Sequence, residues 1–186
     1  MNFFFLEHSR WAYRADIGLY GVAVLLLGLR LLFESSGIDV PILLALVLLG
    51  LLGWSLLEYV LHRFVLHGLQ PFAAWHADHH RRPTALICAP TLLSGGLIGL
   101  LVFLPALLLL GAWNAQALTL GVLSGYLVYT LIHHATHHWR ADSNAWLLRR
   151  KRWHARHHGH AAPRCYGVSS GFWDHVFGSA PRRGMD

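Results

Sequence analysis

The sequence predicts an all-α integral membrane protein, with about four transmembrane helices and a cytoplasmic histidine-rich helical cap. Three observations predict it. Of 186 residues, 55% are hydrophobic and only 13% are charged, where a soluble domain carries about 25% charged residues. Four apolar stretches approach the length needed to cross a bilayer. Fifteen residues are histidine, and ten of them fall in four short clusters just beyond apolar stretches.

Residues 1–186 read as a single membrane-embedded domain. Residues 1–16 mix aromatics with charge and read as an interfacial lead-in without the pattern of a signal peptide. The first span is 17–33, at the short end of bilayer length, with Arg30 near enough to its end to snorkel. A polar turn, 34–41, follows, and Pro41 suits a first helical turn. The second span, 41–61, runs into His62. The third, 91–110, offers Gly95, Gly96 and Gly99 for close helix approach and Pro105 as a kink. Residues 111–116 (GAWNAQ) read as a short turn. The fourth span, 117–133, runs into His133. The cap comprises 62–90 and 134–186.

Charge orients these spans. Fourteen of the fifteen Lys and Arg residues lie in 1–16, 62–90 and 133–186. Four spans put those segments on one side, and the positive-inside rule makes that side cytoplasmic, both termini included. The same placement accounts for the net charge of +6 without nucleic acid. Arg149, Arg150, Lys151 and Arg152 suit anionic headgroups better than a docked redox protein. Arg-rich usage with one Lys suggests a bacterial cytoplasmic membrane. Cys88 and Cys165 have neither disulfide nor metal spacing.

The clusters are His62 with His67, then His76, His79 and His80, then His133 with His137, then His154, His157 and His158. Imidazole is the commonest side-chain metal ligand. Ten are more than one structural zinc site uses, so the pattern reads as a two-metal centre. Positions i, i+3 and i+4 share a helix face, so each H-x-x-H-H triplet is expected to converge, as is His133 with His137. His62 and His67 differ: five residues place them about 140° apart on a regular α-helix. If both bind metal, the helix must end or bulge between them, and Gly68 is compatible with an end. A span-end pair followed by a loop triplet, twice over, resembles a duplicated plan. There is no H-E-x-x-H for a zinc protease, and three Glu in the chain leave no Glu-x-x-His carboxylate site. All-imidazole ligation suits iron, zinc or copper.

The chain resembles the fatty acid hydroxylase superfamily, which includes sterol desaturases, fatty acid 2-hydroxylases and carotenoid hydroxylases. The matching stretches are E58-Y-V-L-H62-R-F-V-L-H67, H76-A-D-H79-H80, G125-Y-L-V-Y129-T-L-I-H133-H-A-T-H137-H138, W153-H154-A-R-H157-H158 and Y166-G167-V-S-S-G-F-W173-D174-H-V-F177-G178. Coverage runs from about residue 50 to 180, and the tail looks closest to the 2-hydroxylases. Thr130 and His134 depart from the Tyr-Asp and Tyr usual around the third cluster of that branch. The chain has no room for the cytochrome b5 domain that some relatives carry, and its length is nearer to carotenoid hydroxylases.

The resemblance implies a non-haem di-iron oxygenase. Two irons, often replaced by zinc on purification, would be held by the ten clustered histidines. They would use O₂ and an external electron donor, a ferredoxin- or cytochrome-type protein with its reductase, to hydroxylate a C–H bond of a lipid acyl chain. No residue beyond the ligands is assigned a catalytic role. Glu58, Asp174, His134 and His138 are the candidates for orienting the metal-bound imidazoles. A carotenoid or sterol-type hydroxylase or desaturase is the alternative within this chemistry. A non-catalytic metal-binding or transport protein is the alternative outside it, and the scarcity of ionisable residues within the spans argues against transport.

Overall fold

A computed structural model describes residues 7–34, 39–159 and 164–181. Eight α-helices account for most of them: α1 Arg10–Glu34, α2 Val40–Val60, α3 Phe72–Arg81, α4 Thr91–Ile98, α5 Leu104–Leu110, α6 Ala112–His138, α7 Ala145–Gly159 and α8 Phe172–Val176. Two π-helical turns, Leu61–Leu66 and Gly99–Phe103, continue α2 and join α4 to α5. Among the described residues the only β pairing is one bridge between Glu7 and Ile87. Four helical stretches, Arg10–Glu34, Val40–Leu66, Thr91–Leu110 and Ala112–His138, are long and apolar enough to cross a membrane. Their outward side chains are apolar: Leu32 is 72% exposed, Leu52 66% and Leu109 81%. Such a surface belongs in hydrocarbon rather than water. The chain is an integral membrane protein.

Local sequence sets the helix ends. Ser9 Oγ accepts from Ala12 N and Asp39 Oδ1 from Ile42 N, and Asn144 Oδ1 accepts from Leu147 N. These are side-chain caps at the starts of α1, α2 and α7. The α1 helix starts seven residues before the apolar run, so Arg10, Arg14 and Asp16 are helical. Residues 111–116 are not a turn. Gly111 alone, at φ +81°, reverses the chain as only glycine readily does. From Ala112 the backbone is helical, with Gln116 Nε2 donating to the Ala112 carbonyl and Asn114 Nδ2 to that of Leu110. At Pro105, which has no N–H to give to the preceding turn, the ladder relaxes into the Gly99–Phe103 π-turn. His160 and residues 35–38 of the polar turn lie outside the described residues, as do residues 1–6 of the lead-in.

The chain forms two compact units. The first holds residues up to Trp54 together with Leu86–Leu127. Within it, α2 meets α6 at two glycines. A Cβ on Gly50 would lie 2.2 Å from the Leu118 carbonyl oxygen, and one on Gly121 would lie 2.1 Å from that of Val47. Small residues thus let two backbones approach as membrane helices do. Asp16, buried in α1, accepts from Thr91 Oγ1 of α4, and Tyr20 shares a 2.7 Å hydrogen bond with Ser94. The Tyr126 ring stands edge-on to Tyr20 at 4.6 Å and to Trp54 at 5.2 Å. The second unit, Ser55–Ala85 with the chain from Val128 on, contains all ten clustered histidines.

Candidate metal centre

The second unit supplies histidines from four places: the π-turn after α2, α3, the end of α6, and α7. The π-turn solves the His62–His67 problem. Its backbone bonds run i to i+5, so residues five apart become neighbours, and the two rings lie 5.4 Å apart. Gly68 completes the exit: a Cβ there would sit 2.3 Å from the Phe64 carbonyl oxygen.

The imidazoles assemble into two groups. His62, His67, His76, His80 and His157 have ligand nitrogens all within 4.8 Å of one another, and His79, His137, His154 and His158 meet the same limit. His133 adjoins the second group, its Nε2 3.1 Å from that of His79. The groups are neighbours, with the His80 and His158 rings stacked at 4.2 Å. The two triplets therefore do not each converge on one point. His76 and His80 join the first group while His79 joins the second; His154 and His158 join the second while His157 joins the first. Helix geometry explains the split. In i, i+3, i+4 spacing the middle residue lies about 100° from the last and about 60° from the first, on the opposite side.

The donor set fits metal. Facing Nε2 atoms are separated by 3.0 Å for His62–His76, 3.1 Å for His80–His76 and His80–His157, and 2.8 Å for His154–His137. A metal about 2.0–2.1 Å from two imidazole nitrogens at right angles holds them about 2.9 Å apart. Five donors in one group also exceed a closed tetrahedral zinc site. Burial keeps these rings neutral, the form that ligates. It lowers His67 to about 4, and His79 and His158 to about 3, with neighbouring imidazoles adding to each effect. His76, His154 and His157 are likewise driven well below the ordinary imidazole range, first by burial and then by neighbouring imidazoles.

Two rings are oriented by main-chain carbonyls. His62 Nδ1 donates to the Tyr166 oxygen at 2.5 Å and His157 Nδ1 to that of Arg164 at 2.8 Å. The segment bearing those carbonyls is itself held by Glu58 and Asp174. Glu58 accepts from Val168 N at 2.7 Å, Ser169 N at 2.9 Å and Ser169 Oγ. Asp174 accepts from Tyr166 N at 2.8 Å, Gly167 N at 2.9 Å and Ser179 Oγ at 2.8 Å. Both carboxyls thus bond the segment rather than a histidine. His134 and His138 stack on each other at 4.5 Å and belong to neither group. Sequence reasoning missed Arg164 and Tyr166, because a backbone carbonyl leaves no residue-type signal. It also missed Ser169 and Ser179, whose hydroxyls serve the two carboxyls. Cys88 and Cys165 are free and belong to neither histidine group.

Known proteins resemble this chain in sequence and in fold. The fatty acid hydroxylase family model matches residues 47–179. The dihydroceramide fatty acyl 2-hydroxylase FAH2 of Arabidopsis thaliana is 34% identical over 158 residues, covering 79% of this chain and 65% of that protein. The ceramide very long chain fatty acid hydroxylase scs7 of Schizosaccharomyces pombe is 32% identical, with 80% of this chain and 46% of that protein covered. A solved structure described as full-length scs7p with only the hydroxylase domain visible superposes with TM-score 0.76 at 25% identity, over 97% of this chain and 69% of that one. The chain thus spans about two thirds of the first relative and under half of the second. A match over residues 47–179, a range that holds all four histidine clusters and the Tyr166–Gly178 tail, places this chain in the fatty acid hydroxylase family.

Proposed function

We propose that the protein is a membrane-bound di-iron oxygenase that hydroxylates a fatty acyl chain. One observation carries the reading: ten buried or half-buried imidazoles converge in two adjoining groups with no carboxylate among them. The first metal would be held by His62, His67, His76, His80 and His157, the second by His79, His133, His137, His154 and His158. Iron bound there would supply the redox chemistry by which a C–H bond, O₂, two electrons and two protons become an alcohol and water. The chain's own part is to hold neutral donors in place. The π-turn aims His62 and His67, and the Arg164 and Tyr166 carbonyls fix the tautomers of His157 and His62. No histidine is needed as a general acid or base. Asp78 is half-buried and paired with Arg81 and Arg82, which leaves it outside the chemistry.

The relatives' names, fatty acyl 2-hydroxylase and very long chain fatty acid hydroxylase, support a long acyl chain as substrate, attacked beside its carbonyl. Electrons would come from a ferredoxin- or cytochrome-type protein and its reductase. The charge distribution supports a cytoplasmic location for the histidine clusters and both termini, and Arg-rich usage with a single Lys supports a bacterial cytoplasmic membrane.

The test is expression with a reductase system followed by lipid mass spectrometry. An acyl product heavier by one oxygen, absent in His79→Ala, is expected. Unchanged lipids from a fully iron-loaded protein receiving electrons would overturn the proposal.

A further inference from the structure

We propose that the two metal sites are unequal, and that Glu58 and Asp174 are positioning residues that make the site containing His62 and His157 the tighter one. The inference rests on the two-metal reading above and concerns how the chain's residues divide their support between the sites.

Four consecutive main-chain N–H groups, those of Tyr166, Gly167, Val168 and Ser169, are all taken by the two carboxyls. Glu58 is 4% exposed and Asp174 fully buried, so water does not compete for these bonds. The segment is clamped from both sides, and Gly167 permits the fit, since a Cβ there would lie 1.9 Å from the Ser170 carbonyl oxygen. The Oδ1 atom of Asp174 is tied in turn: Arg63 donates to the Tyr59 hydroxyl, which shares a 2.8 Å hydrogen bond with Ser179 Oγ, and Ser179 Oγ donates to Asp174 Oδ1.

The clamp reaches only one metal group. Its outward carbonyls, Arg164 and Tyr166, accept from His157 and His62, both of the first group. A carbonyl can only accept, so each Nδ1 carries the hydrogen and each Nε2 presents its lone pair to the centre. Such a partner also strengthens the ring as a ligand. In the second group, the Nδ1 atoms of His79 and His154 are buried and have no hydrogen-bond partner among the described residues. Metal bound at Nε2 there leaves a buried N–H without an acceptor, which weakens the site.

Zinc-loaded full-length protein in lipid nanodiscs, challenged with a chromogenic zinc chelator, tests this. Release is expected in two phases of one zinc each, separated about tenfold or more in rate. His154→Ala should remove the fast phase and keep the slow one. Glu58→Gln should speed the slow phase by about tenfold and leave the fast phase unchanged. Ser169→Ala, which removes one donor to Glu58, should speed the slow phase to a smaller degree, and it decides the matter if Glu58→Gln does not fold. Two zincs leaving at one rate would overturn the inference while the two-metal reading stood. So would variants that change neither phase or both equally. A chain holding no more than one zinc would sink the two-metal reading itself.

Discussion

His79 and His157 occupy reciprocal positions. Each is the middle histidine of its own H-x-x-H-H triplet, and each is the member that joins the group built by the other half of the chain. The first group takes four histidines from residues 62–80 and one from α7. The second takes four from α6 and α7, His133 included, and one from α3. The two groups are thereby laced together, since neither half of the chain completes one alone.

This lacing gives paired expectations. His157→Ala should lower zinc to about one per chain by emptying the first group, and His79→Ala should do so by emptying the second. Each should reduce hydroxylation by more than about 100-fold, since loss of a ligand exceeds the 10–100-fold cost of losing a ligand's outer partner. Metal analysis and product quantification on the same preparations check both effects.

The π-turn can be tested by changing its length. Deleting Phe64, 54% exposed, leaves His62 and His67 four residues apart, a spacing that shares one face of a regular α-helix. Zinc is expected to remain near two per chain. Inserting an alanine after Phe64 instead turns His67 by about 100° and should cost the first-group metal. Equal metal content in both variants would show that the turn does not aim the pair.

The helix contact at Gly50 and Gly121 should be intolerant. Gly121→Ala places a Cβ 2.1 Å from the Val47 carbonyl oxygen and should destabilise by about 1–3 kcal/mol through overpacking. Gly18→Ala and Gly28→Ala, with nothing within 4 Å of the added atom, should be neutral or slightly stabilising. Thermal unfolding of the three variants in one detergent separates them.

Acid should unfold the metal-free protein. His67 is lowered to about 4, and His79 and His158 to about 3, from an ordinary imidazole value near 6.5. A histidine with a depressed folded value binds its proton more readily when unfolded. Its contribution is full above about pH 6.5 and is lost as pH falls towards the folded value. The melting temperature should therefore drop between pH 6.5 and 4, with several protons taken up on unfolding. Bound zinc, which competes with those protons, should shift the drop to lower pH. A melting temperature flat across that window would contradict the burial of the cluster.

The sequence by itself determined the membrane class, the four apolar helices and the identity of the clustered histidines. Those features are written in composition and in spacing along one helix, where local geometry suffices. It also pointed to a break at His62–His67, because five residues cannot share a face of a regular α-helix. The extent of α1 was less legible, since Arg10, Arg14 and Asp16 look like a boundary until Asp16 finds Thr91 on α4. Residues 111–116 misled for a similar reason: Gly111 alone makes the reversal, and Trp113 packs with Leu31, Leu43 and Ala117. Only the tertiary structure decided how the histidines divide, because residues 60–100° apart on a helix go wherever neighbouring helices stand. Only it showed that Glu58 and Asp174 bond the backbone of residues 166–169. A hydrogen bond to a main-chain group depends on where the chain passes, and no side-chain pattern records that.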